Sequence, residues 1–151
     1  MTRLKKITLI LGLPLMLLTA CGEVEDTRPG QPVKQRQQAF KQLLRSFEPM
    51  GTMLKDNRYD ADKFIAMAEQ FKADLEGPWA HFGPDTHYPP SKSKPEIWQK
   101  PEEFAKARAR FLTEAEALIS AAQQRDKNLL ASRHQAVYET CRDCHNAFRE
   151  R

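Results

Sequence analysis

Leu130, His134, Val137, Cys141, Cys144 and Phe148 follow one another at alternating four- and three-residue steps. That period puts all six on one side of a helix, the seam along which a helix packs in a bundle. The end of the seam carries Cys141-Arg142-Asp143-Cys144-His145, close to the end of the 151-residue chain. A Cys-x-x-Cys-His run is the attachment signature of a c-type heme. The two thiols add across the heme vinyl groups, and the histidine supplies one axial nitrogen to the iron. Residues three and four apart share a helix face, so both sulfurs and the imidazole can meet one flat macrocycle. Both cysteines lie on the seam, so the heme is expected inside a bundle and not on its surface.

Other readings of the motif fit less well. A thioredoxin-like pair wants a βαβ setting with a cysteine at a helix N-terminus, where the dipole depresses the thiol pKa. Here the pair lies near the C-terminal end of a helical stretch. A structural zinc site wants four ligands, and the one other cysteine is Cys21. A disulfide across two residues inside a helix has poor geometry. The plainest alternative is two buried structural cysteines beside a surface histidine. Heme attachment is preferred on the motif and on an export signal at the other end of the chain.

That signal begins with the positive residues Arg3, Lys5 and Lys6 and continues with an apolar stretch from Ile7 to Leu18. The stretch is too short for a comfortable membrane span and reads as a signal peptide. It ends in Leu18-Thr19-Ala20-Cys21. Small residues directly before a cysteine resemble a bacterial lipobox, with cleavage before Cys21 and lipid on its sulfur. An ordinary signal peptide cut nearby would leave Cys21 as an odd free thiol, whereas lipidation gives all three cysteines a covalent role. The expected place is the periplasmic side of a bacterial membrane. Removing residues 1–20 leaves 131 residues, one domain's worth. The segment carries three positive charges and no acid, so the formal net charge falls from +4 to +1. No nucleic-acid partner is inferred from so small a surplus. Residues 21–31, polar and holding Pro29 and Gly30, read as a flexible tether.

Four helical stretches follow. The first runs from about Pro32 to Lys55, with Phe40, Leu43, Leu44, Phe47, Met50 and Leu54 on its apolar stripe. Pro49 inside it is expected to kink or split it. The second runs from the N-cap Asp60 to Leu75, with Phe64, Ala68, Phe71 and Leu75 on its stripe, and Gly77-Pro78 ends it. Residues 77–100 are proline-rich and read as a long loop anchored by Trp79, Phe82, Tyr88 and Trp98. The third helix opens at Pro101-Glu102-Glu103, and the fourth is capped by Asp126 and runs to about Glu150. No strand pattern or internal repeat is visible.

The occupant of the sixth iron position decides function. His134 lies eleven residues before His145, about 16 Å along a helix axis, and reads as a half-buried seam residue. His81 and His87 read as loop surface residues, and Met50, Met53 and Met67 as core filler. A histidine–methionine iron would be a low-spin electron carrier. A histidine iron with an apolar distal wall would stay open to small gases.

The chain from about Val33 to Arg151 resembles the class II cytochromes c, specifically the cytochrome c′ family. The resemblance is carried by Arg36-Gln37, by Pro78-Trp79-Ala80-His81-Phe82-Gly83-Pro84-Asp85-Thr86, by Pro95-Glu96-Ile97-Trp98 and by Cys141 to Arg149. It implies an all-α fold, an antiparallel four-helix bundle with one heme c on the C-terminal helix, usually paired as a homodimer through the first two helices. It implies a pentacoordinate iron with Phe40 at the distal position, where related low-spin members place a methionine. It implies that Arg36 and Gln37 lie near the heme propionates and Arg149 near the proximal side. Family members are typically soluble in the periplasm, so the lipobox is a departure.

The expected protein is therefore a high-spin heme c protein that binds nitric oxide and carbon monoxide and cycles between ferrous and ferric iron. Nitric oxide, which loosens the bond opposite it, is expected to be able to sit on the proximal side beside Arg149. The alternative is an electron-transfer cytochrome with Met50 or Met53 as sixth ligand and a redox partner protein. An enzyme is not expected, since no general acid or base is evident beside the distal position.

Overall fold

A computed structural model describes residues 24–151. The expected signal peptide and Cys21 lie outside the described residues. Four long helices, α1 (Pro32–Lys55), α2 (Ala61–Asp74), α4 (Pro101–Gln123) and α5 (Lys127–Phe148), form the bundle, with a short helix α3 (Glu96–Gln99) before α4. α1 packs on α2 and α5, and α4 packs on α2 and α5. The apolar stripes read from the sequence meet in one core of Leu43, Phe47, Met50, Phe64, Ala68, Phe71, Phe111, Ala115, Leu118, Leu130 and Val137. The architecture is the expected all-α antiparallel four-helix bundle.

Local chemistry sets the helix ends. Asp60 accepts from the Lys63 amide and opens α2, and Asp126 accepts from the Asn128 amide and opens α5. Pro101 stands in the first turn of α4 with Glu102 and Glu103, where the missing N–H costs nothing and the acids complement the dipole. α1 is not split by Pro49: it runs unbroken through that residue. Pro49 is exposed, so water can satisfy the carbonyl that it leaves without a partner.

The N-terminal segment is more ordered than the sequence suggested, and the 77–100 loop is anchored as expected. The tether was expected to run to residue 31, but Asp26 is only 2 % exposed. Its carboxylate accepts from the amides of Val33 at 2.9 Å and Lys34 at 3.2 Å, capping α1 from outside the helix. It also accepts from the Tyr88 hydroxyl at 2.9 Å. A distant side chain thereby satisfies donors that Gln31, next to the helix, leaves open. The 77–100 loop contains a 3₁₀ turn at Trp79–His81 as well as α3. The Trp98 indole donates to the carbonyls of Phe82 at 3.2 Å and Gly83 at 3.0 Å, so Tyr88 and Trp98 anchor the loop as expected. α5 ends at Phe148, not Glu150. Arg149 is extended, at φ −126° and ψ 134°, and bridges to Ser93 in antiparallel fashion. The Glu150 amide donates to the Lys92 carbonyl at 2.7 Å, and the Lys94 amide to that of Phe148 at 2.9 Å. The pull of the loop's backbone groups outweighs one more helical turn.

Candidate heme site

The last turns of α5 carry Cys141, Cys144 and His145. Both cysteines are free thiols and partly buried, and Cys141 packs against the core. Burial pushes both thiols up to about 11, Cys144 with a further push from Cys141. At neutral pH they are protonated, unlike an activated redox thiolate. Among the described residues no three His, Cys, Asp or Glu side chains gather where a metal ion could sit. A macrocycle needs a different arrangement: two thiols able to add across double bonds and an imidazole beside them, spread along one face. Cys141, Cys144 and His145 provide that spread. His145 is exposed at the outer edge. Although the residue as a whole is exposed, partial desolvation against the bundle lowers its pKa first, and the Arg149 charge lowers it further. Although Arg149 has left the helix, its charge still acts on His145.

The surroundings of this end of α5 are aromatic. Phe104 on α4 meets Phe148 edge-on with centroids 5.3 Å apart, and Phe82 at 4.9 Å. Phe40 on α1 meets Trp79 edge-on at 5.6 Å and Phe82 at 6.3 Å. Phe40, Trp79, Phe82 and Phe104 are all only partly buried, whereas Phe47, Phe64 and Phe71 farther along the bundle are buried. A cleft of about 300 Å³ opens beside them, lined by Trp79, Phe104, Ala105, Arg108, Ala109 and Leu112. Half-covered rings gathered near the end of α5 form an apolar wall. A flat apolar group suits such a wall, so donor set and wall are both of the kind that heme c takes. Trp79 and Phe82 were read from the sequence as loop anchors only, and Phe104 as part of a core stripe. The aromatic density of the 77–100 loop was the signal that Trp79 and Phe82 gather; nothing in the stripe of α4 marked Phe104 as their neighbour.

Arg36 and Gln37 precede Phe40 on α1. Arg36 is 3 % exposed, and its guanidinium donates to the carbonyls of His81 at 2.8 Å and Thr86 at 3.3 Å. It also donates to the hydroxyls of Thr86 at 3.2 Å and Ser91 at 2.9 Å. The same group lies 4.5 Å over the Phe82 ring. Burial lowers its pKa, against which Tyr88 and Asp26 act. The Gln37 amide donates to the Pro90 carbonyl at 3.3 Å. Both side chains thus grip the loop that carries Phe82. Among the described residues no carboxylate forms an ion pair with Arg36. A buried cation with only neutral acceptors is suited to a nearby anion.

The remaining histidines and methionines lie elsewhere. His134 is partly buried, stacks on Phe47 at 4.1 Å and bonds the Phe47 carbonyl at 3.1 Å. Gly51 faces the same imidazole, and a Cβ there would lie 2.5 Å from the ring. Met50, next to Gly51, is fully buried, and the Met53 sulfur accepts from the Asp60 amide at 3.4 Å. This level of the bundle is about 16 Å along α5 from His145. Met67 is partly buried against the core. His87 is exposed and near Trp98, at 5.5 Å between centroids.

A family model described as cytochrome c′ matches residues 31–149. No curated protein matches the chain. Among solved structures, the nitric oxide complex of a leucine-to-alanine mutant of cytochrome c prime from Alcaligenes xylosoxidans is 31% identical, with a TM-score of 0.77 over 84% of this chain and 99% of that one. The carbon monoxide-bound leucine-to-glycine variant from the same organism is also 31% identical, with a TM-score of 0.77 over 84% of this chain and all of the other. A structure named cytochrome c′ is 30% identical, with a TM-score of 0.77 over 83% of this chain and 100% of that chain.

Proposed function

The chain belongs to the cytochrome c′ family and carries heme c, and from that premise we propose that it binds diatomic gases, nitric oxide above all, at an iron held by His145 alone. When bound, heme c supplies an iron with a free sixth position and a ferrous–ferric couple. Cys141 and Cys144 would hold the group through thioethers, and His145 would supply the nitrogen to its iron. Phe40 would wall the other face, and carbon does not ligate iron. Arg36 and Gln37 hold the loop that carries Phe82, and the Arg36 charge would favour the propionates. The observation that carries the reading is the wall itself. Phe40, Trp79, Phe82 and Phe104 can neither ligate iron nor exchange protons, which supports reversible binding over both electron transfer through a methionine and catalytic turnover. Met50 and Met53, the ligands of the electron-carrier alternative, belong to the His134 level of the bundle.

The visible and electron paramagnetic resonance spectra of the ferric holoprotein test this. A high-spin iron is expected, and a low-spin iron with a methionine signature would overturn the proposal in favour of the electron carrier. Replacing Cys141 or Cys144 by Ser should lower the pigment that stays with the chain in denaturing gels. Lipid on Cys21 would hold the protein on the periplasmic side of a membrane; among the described residues no helix is long and apolar enough to cross one. Pairing through α1 and α2 is supported by Leu44, an α1 leucine that is 44 % exposed, and sedimentation checks it.

A further inference from the structure

We infer that the heme-bearing end of the bundle faces the bilayer and is held there by a short leash that starts at the Asp26 clamp. The inference rests on the lipidation of Cys21 proposed above and adds an orientation to it. Asp26 joins the N-terminal segment to α1 and to Tyr88 of the loop, and the Arg28 guanidinium adds a bond to the Asp85 carbonyl at 3.0 Å and a stack at 3.8 Å over the Tyr88 ring. The same loop holds the end of α5 through Lys92–Glu150 and Lys94–Phe148. The clamp and the Cys141–His145 turn therefore lie at one end of the molecule. Lys55, Lys63 and Lys127 stand at the other, where Arg125 pairs with Asp62.

Five peptide steps separate Cys21 from Asp26. Fully extended they reach at most about 18 Å. The 23 residues of α4 span about 35 Å, so the leash is shorter than the bundle is long. A lipid at Cys21 cannot let the clamped end drift away while the far end approaches. The clamped end also presents Lys92, Lys94, Arg149 and Arg151 beside Glu150, with Glu25, Asp85, Glu102 and Glu103 exposed at the same end, and among the described residues none of the four cations forms an ion pair. Anionic headgroups attract such residues. Any twofold pair must then place both Asp26 ends on one side of the dimer.

The test is lysine labelling of the full-length holoprotein in nanodiscs of phosphatidylethanolamine and phosphatidylglycerol. A bulky water-soluble acylating reagent is used and read by peptide mass spectrometry. The reference is the same protein with twenty Gly/Ser residues inserted between Glu23 and Val24. Relative to that reference, Lys34 and Lys92 should label at least threefold more slowly, and Lys55, Lys63 and Lys127 at an unchanged rate. Equal rates at both ends on a chain whose mass includes the lipid would overturn the orientation. A mature chain whose mass lacks the lipid would instead remove the lipidation on which the orientation depends.

Discussion

Phe40, if it walls the iron as proposed, stands where a smaller or a ligating side chain would change the chemistry. It leans on Trp79 and Phe82, so it cannot swing aside without disturbing both. Phe40→Ala should raise carbon monoxide affinity severalfold by opening space on the distal side, measured by titration of the ferrous protein; unchanged affinity would remove the gating role. Cys141, Cys144 and His145 were picked out by spacing alone, because a covalent attachment would leave a local signature, and the fold sets all three in the last turns of α5. The tasks of Arg36 and Asp26 were not legible in that way. Arg36 reaches Ser91, fifty-five positions away, and Asp26 reaches Tyr88, sixty-two away, and no periodicity encodes such partners. Tyr88 itself could be picked out as an anchor because an aromatic ring among prolines must bury somewhere.

At the scale of elements, the crossing of α1 and α5 turns on a single missing methyl. Gly51 lies in a helix interior, where Ala is favoured by about 1 kcal/mol. Here the added Cβ would press on the His134 ring, which cannot retreat because it is stacked on Phe47 and bonded to its carbonyl. Gly51→Ala should therefore destabilise the protein by about 1–3 kcal/mol, the usual cost of overpacking. In a His134→Ala background the same change should stabilise by up to about 1 kcal/mol. Urea unfolding of the four proteins measures both, and the sign reversal is the decisive feature. The limits of α1 and α2 and the start of α4 were readable to within a residue or so, because stripes and end signals agree with the packing they produce. α5 was read two residues too long. Its ending is decided by Ser93 and Lys92, partners in the loop, and not by anything in its own periodicity.

For the molecule as a whole, acid sensitivity follows from the same histidine. Burial holds the His134 pKa below its ordinary value of 6.5, with the bond to Phe47 acting the other way. The folded state thus binds the proton less readily than the unfolded chain does. The contribution is fully present above pH 6.5 and is lost as pH falls from there through the folded-state value. Unfolding midpoints in urea should drop between pH 6.5 and 5, and the slope should flatten in His134→Phe, which keeps a ring to stack on Phe47. A His134→Phe protein with the wild-type slope would assign the acid sensitivity elsewhere. The bundle and its heme were foreseeable from one motif on one helix seam. The open iron was expected from the resemblance; what the fold adds is a gathering of rings from α1, the loop, α4 and α5 at one place.

Both extremities of the described chain are stitched into the same proline-rich segment, one through Tyr88 and the other through Lys92 and Ser93. Tension applied between Val24 and Arg151 would therefore be borne first by that segment, and only afterwards by the helices. Were the chain tethered through Cys21 as proposed, a tug would loosen the proline-rich segment while the bundle stayed shut.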